Sequence, residues 1–272
     1  MARMTPLLLG IDFSCAPSRR KPIAVARGML NGARLGLQRI DRLTDLTAFE
    51  ALLAEPGPWL GGFDFPFGLP REFATAIAPQ GDAAALMAAV LHRCASRMEF
   101  RALVDAWGNA RPAGQRLVHR RTDRAAAVMS TSPLQTRYVP VGFMYFEGMS
   151  RLLASGVHLP GLREGDTTRV ALEAYPGRLA GELIGNRSYK NRDDAERLIA
   201  RKDLLHALAL GPARLGFRVA LRAAQHDEIV ADAQGDLIDA LLCLVQAAWA
   251  SRQPRWGVPA DVDAVEGWIV GA

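Results

Sequence analysis

The sequence is poor in the residues that usually announce a metal or a covalent nucleophile. Its three cysteines, Cys15, Cys94 and Cys243, are scattered with no C-x-x-C pair. That excludes a disulfide framework and a structural zinc site, and suits a reducing compartment, the cytoplasm. His92, His119, His158, His206 and His226 show neither H-x-x-x-H nor H-E-x-x-H spacing, so a zincin is excluded. There is no G-x-S-x-G elbow, and Cys15 lacks an evident histidine partner, so nucleophilic catalysis has no recognisable seat. No apolar run reaches the roughly 20 residues that span a bilayer, and no membrane partner is expected. The opening "MARMTPLLLGID" meets Asp12 too early for a signal peptide and reads as a first strand. Repeats and low-complexity tracts are also missing.

What is present is a core. Half of the 272 residues are hydrophobic, enough for one large domain spanning residues 1–272. The formal net charge of +5 is compatible with a nucleic-acid partner, although arginine- and alanine-rich composition produces the same balance. Self-association is left open.

The periodicity predicts a mixed α/β fold. Leu7–Phe13 reads as a buried strand. "KPIAVARGML" and "ARLGLQRI" read as two more, joined by Asn31-Gly32, a hairpin signal. A helix is expected from about Asp45 to Glu55 with Thr44 as its N-cap, then a fourth, wholly apolar strand, "WLGGFDF". Residues 71–165 read as a mostly helical insertion. The sheet resumes at "TTRVALEAYPG". Helices follow near residues 178–184 and 193–210, and a last one, "GDLIDALLCLVQAAWA", is apolar around most of its circumference.

Carboxylates interrupt this apolar pattern at consistent places. Asp12 ends the first strand and Asp64 the fourth; Glu173 follows a third apolar run. Parallel neighbouring strands lie roughly 5 Å apart, close enough for two such carboxylates to share a divalent cation. Asp236 and Asp239, spaced i, i+3 on the last helix, are its only charged residues before Arg252. Read singly, Asp64 fits an Asx turn, Asp12 a loop cap, and Asp236 with Asp239 a capping box. Read together, Asp12, Asp64, Asp236 and Asp239 make a four-carboxylate cluster that needs a counter-charge. Mg²⁺ or Mn²⁺ would supply it, and two ions about 3.5–4 Å apart form a phosphodiester-cleaving clamp.

The ordered pieces "GIDFS", "FDFPFGLP", "LEAYPG", "SYKN", "GDLIDALLCLVQAAWA" and "EGWIV" span nearly the whole chain. In that order they resemble an uncharacterised domain family predicted to contain RNase H-like nucleases. The resemblance implies an RNase H-like fold: three antiparallel strands, a helix, then parallel strands with helices between them. It also implies metal-holding carboxylates at Asp12, Asp64, Asp236 and Asp239, with Glu173 as an auxiliary acid, and a two-metal nuclease activity on nucleic acid.

Candidate phosphate contacts are Arg121 and Arg137 in the arginine-rich insertion, which also carries Arg111, Arg116, His119, Arg120 and Arg124, and Lys190 in "SYKN". Each has a plainer reading as a solvated face or, for Arg121 with Asp123, as part of a salt-bridge network. His226 and Asp227 read as an exposed loop pair, or else a proton shuttle. Two other functions fit parts of the pattern. "GIDFS" also resembles the start of a phosphate loop in the actin and sugar-kinase architecture, though further glycine-rich loops are lacking. A non-catalytic module binding nucleic acid or protein is the third.

Overall fold

The computed structural model describes residues 6–125 and 130–271; residues 126–129 of the expected insertion, and both ends of the expected domain span, lie outside them. The chain opens with an antiparallel meander: β1 (Leu7–Asp12), β2 (Ile23–Asn31) and β3 (Arg34–Leu43). Gly32 makes the β2–β3 turn at φ +54°, a left-handed conformation that a side chain disfavours. Helix α1 (Leu46–Leu53) buries Phe49, Leu52 and Leu53. Its cap is Asp45 rather than the expected Thr44: the Asp45 carboxylate accepts the Ala48 N–H at 2.8 Å. A carboxylate answers the positive end of the helix better than a hydroxyl does.

After β4 (Trp59–Phe63), buried along its whole length, the chain forms five helices. They are α2 (Arg71–Ile77), α3 (Ala83–Arg93), α4 (Arg97–Asn109), α5 (Arg121–Ala125) and α6 (Val141–Ser155). Sheet returns with β5 (Val157–His158) and β6 (Asp166–Glu173), followed by α7 (Pro176–Ile184) and α8 (Ala195–Leu210). Then come β7 (Arg218–Ala220), α9 (Ala223–Ala231) and α10 (Asp236–Ala250). Strands β5 and β7 hold two and three residues, too few to show alternation. Helix α9 buries only Gln225, Ile229 and Val230, so its apolar face is faint; it carries His226 and Asp227, which the sequence reading placed in a loop.

The seven strands form one mixed sheet in the order β5-β6-β4-β1-β2-β3-β7. Strands β1, β4, β6 and β5 run parallel, and β7 runs parallel to β3. Period-2 alternation divides the core into two layers. Leu9, Ile11 and Phe63 face α1 and the insertion helices, packing with Phe49, Phe73 and Met149. Leu8, Leu60 and Leu172 face α8 and α10, packing with Leu204 and Leu241.

One detail of the second layer places the site. Gly10 of β1 pairs in register with Gly62 of β4. A Cβ on Gly10 would sit 2.1 Å from the Ala240 carbonyl oxygen, and one on Gly62 would sit 2.6 Å from that of Cys243. Two adjacent glycines therefore let the backbone of α10 lie directly on the sheet. Any side chain there would push the helix outward.

Candidate metal centre

Asp12 is the last residue of β1, and Asp64 follows β4 directly. The Asp64 N–H donates to the Ile11 carbonyl at 2.9 Å, tying the two strand ends together. Asp12 shares its parity with Leu8 and Gly10, and Asp64 shares its parity with Leu60 and Gly62. Both carboxylates therefore face α10. Because α10 rests on the glycine pair, Asp239 meets them: Asp12, Asp64 and Asp239 each offer a carboxylate oxygen within 4.8 Å of the others.

The three are held very differently. Asp239 is buried; the Tyr189 hydroxyl donates to it at 2.6 Å and the Lys190 ammonium forms an ion pair with it. Arg201, fully buried, donates to the Tyr189 carbonyl at 2.9 Å and to that of Val230 at 2.8 Å, so it anchors the segment that carries both partners. Asn191, at φ +69°, then turns the chain away. Asp12 and Asp64 are half-buried, and among the described residues their side chains make no hydrogen bond.

Electrostatics follow from this. Burial, then the charges of Asp239, Asp64 and Asp236, lift the Asp12 carboxyl well above the ordinary carboxylate range. Burial, then Asp239, pushes Asp64 up to about 7. Burial works against the Lys190 charge, but Asp239 and Asp64 outweigh it and raise that ammonium above its usual value. One lysine does not balance three carboxylates.

The donors fit a hard divalent cation. They are all oxygens, they converge, and two of them lack any partner while facing a cleft of about 500 Å³. Asp12, Asp64 and Asp239 are the residues that would hold it.

Asp236 does not join this group, although it lines the same cleft. It is the first residue of α10, half-buried, and sits one turn further out at the cleft's rim. The capping-box reading also fails. Gly235, at φ +83°, occupies the cap position, and the Asp232 carboxylate accepts the Leu237 N–H at 2.8 Å. Asp236 and Asp239 are therefore free of capping duty.

Glu173 is also separate from the triad. The β4–β6 register sets it opposite Phe63, whose side chain points to the other face of the sheet. There Glu173 pairs with Arg120 at 2.6 Å and accepts the Phe67 N–H at 2.9 Å. Arg120, only 2 % exposed, is saturated: it also binds both oxygens of the buried Asp123 and the Glu266 carbonyl. Burial raises Glu173 above the ordinary range, and Arg120 offsets part of that. Sequence reasoning grouped Arg120 with solvated insertion arginines; nothing local distinguishes it from Arg121 or Arg124.

The expected phosphate contacts are divided. Arg121 lies on the surface paired with Asp261 at 2.9 Å, and Arg137 pairs with Asp105 at 2.6 Å; neither lines the cleft. Lys190 does line it. His226 and Asp227 pair with one another on an exposed face of α9. The three cysteines are free. No helix of the described residues is long and apolar enough to cross a membrane.

Compared with protein-family models, with curated proteins and with solved structures, the chain matches none.

Proposed function

We propose that the protein is a divalent-metal-dependent phosphodiesterase of the RNase H-like class, acting on nucleic acid. The convergence of Asp12, Asp64 and Asp239 carries this reading, because among the described residues no group hydrogen-bonds to the first two carboxylates. Topology supports the class: an antiparallel three-strand meander, then parallel strands added beyond β1, with carboxylates at the ends of the first and fourth strands and on a late helix.

Asp12, Asp64 and Asp239 would hold the metal, with Asp236 available at the rim of the same cleft. Mg²⁺ or Mn²⁺ there would polarise a phosphoryl oxygen and acidify a water. The chain does the rest. Tyr189 and Lys190 fix the Asp239 carboxylate in one orientation. The Asp64 N–H bond to Ile11 keeps the two strand ends in step. Phe13 and Phe65, 4.7 Å between ring centroids, line the cleft beside Asp12 and Asp64.

Neither alternative gains an observation of its own. The loop after Asp12, "FSCAPSRR", has no glycine to wrap a nucleotide phosphate, which counts against the kinase-like reading. A purely structural triad would leave excess buried charge without purpose, which counts against the binding module. The test is titration calorimetry with Mn²⁺, together with Mg²⁺- or Mn²⁺-dependent hydrolysis of bis(p-nitrophenyl) phosphate. Asp12→Asn should abolish the hydrolysis; turnover equal to that of the parent protein would sink the assignment.

A further inference from the structure

The cleft over the triad has an unusual wall. The loop entering α6 lines it with Tyr138, Val139 and Pro140, and the first turn of α6 adds Met144. Tyr138 is 91 % exposed and Val139 53 % exposed, so the ring stands in water without a packing partner. Such a ring at the mouth of the cleft gives the fold nothing, but it offers a flat face to a ligand.

Beyond Asp236 and Gln234, which line both spaces, the cleft continues into a second hollow of about 360 Å³. Arg19 and Arg20 line this hollow from the β1–β2 loop, a few residues after Asp12. Both are exposed and enter no ion pair among the described residues. Of the carboxylates nearby, Glu228 is paired with Arg42 at 2.8 Å and Asp232 accepts the Leu237 N–H at 2.8 Å, while Asp236 enters no ion pair among the described residues. Arg19 and Arg20 are therefore the cations of the hollow that no carboxylate of the described residues pairs.

An aromatic face, recessed carboxylates and a pair of unpaired arginines thus line two adjoining spaces that meet at Gln234 and Asp236. Resting on the metal-hydrolase reading above, we infer that the substrate is single-stranded nucleic acid, with a base stacked on Tyr138 and neighbouring phosphates held by Arg19 and Arg20. A base inside a duplex is already stacked on both faces and gains nothing from Tyr138. A lone nucleotide fills the first space and leaves the arginines idle. The cations that grip phosphate are then those of the β1–β2 loop, not Arg121 or Arg137.

The experiment is fluorescence anisotropy with Asp64→Asn protein in Mg²⁺, using a labelled 12-nucleotide single strand and a blunt duplex of the same sequence. The single strand should bind at least tenfold more tightly. Tyr138→Ala should weaken strand binding about tenfold, with Tyr138→Trp restoring it. Arg19→Gln and Arg20→Gln should each lower the salt dependence of log K by about 0.7. Equal affinity for duplex, or indifference to both sets of substitutions, overturns the inference. If Mn²⁺ still raises the melting temperature of the parent protein and phosphodiester hydrolysis persists while no strand binds, the inference falls and the hydrolase reading stands. Strand binding with these sensitivities but without any Mn²⁺ effect keeps the groove and removes the hydrolase.

Discussion

Two clusters of buried charge sit side by side under the cleft, one on each face of the sheet. On the insertion side, Arg120 is clamped between Glu173 and Asp123, and the Phe67 N–H and the Ser130 hydroxyl take up the remaining carboxylate capacity. On the α10 side, Asp12, Asp64 and Asp239 face a single lysine. The first cluster is finished: every polar group has a partner. The second is short of cations and donors. Proteins keep buried charge paired because the alternative is costly, so the unfinished cluster is the one that awaits something from outside.

The contrast breaks most sharply at Arg120. Arg120→Met should cost about 3–5 kcal/mol in urea denaturation, because it strands two buried carboxylates. Adding Glu173→Gln to that variant should recover part of the loss. A loss under 1 kcal/mol would mean that the cluster is not the closed unit described.

The triad should respond with the opposite sign. Asp64 is raised to about 7, so the folded, metal-free protein keeps a proton that the unfolded chain releases near pH 4. The stability tied to that proton is full below about pH 4 and is lost as pH climbs through 7. Metal-free protein should therefore melt lower at pH 8 than at pH 5, and millimolar Mn²⁺ should restore more at pH 8. Asp64→Asn should raise the metal-free melting temperature at pH 8 by about 2–4 °C and change it little at pH 5. A lower melting temperature for this variant at pH 8 would refute the charge imbalance.

The smallest effect is expected at Arg121, next to Arg120 in sequence yet unlike it in setting. Arg121→Gln removes an exposed pair with Asp261 and should change stability by less than about 0.5 kcal/mol. A larger loss would show that the surface pair belongs to the buried clamp.

These neighbours show what the sequence discloses and what it hides. Asp12, Asp64 and Asp239 are legible because each interrupts an apolar run where a charge has no structural business. Glu173 carries the same signature, but its face depends on the β4–β6 register, which no local pattern encodes. Asp236 and Asp239 share a spacing, yet the first turn of α10 leaves one at the rim and buries the other. Arg120 and Arg121 read alike because the burial of Arg120 is decided by partners 53 and 146 residues away. The mixed sheet was readable from its meander and apolar strands; the two short strands and α9 were not, since their residues repeat too briefly to show a period.

The paired glycines of β1 and β4 carry a last consequence. They let main chain rest on main chain, so the spacing of the three carboxylates is set by atoms that every residue has in common. Tyr138, Arg19 and Arg20, by contrast, stand exposed on two loops. Sequence drift in those loops can change what enters the groove while the floor stays as it is. Drift at Gly10 or Gly62 separates the carboxylates whatever the walls have become. A lineage of such proteins would be free to exchange substrates long before it could change its chemistry.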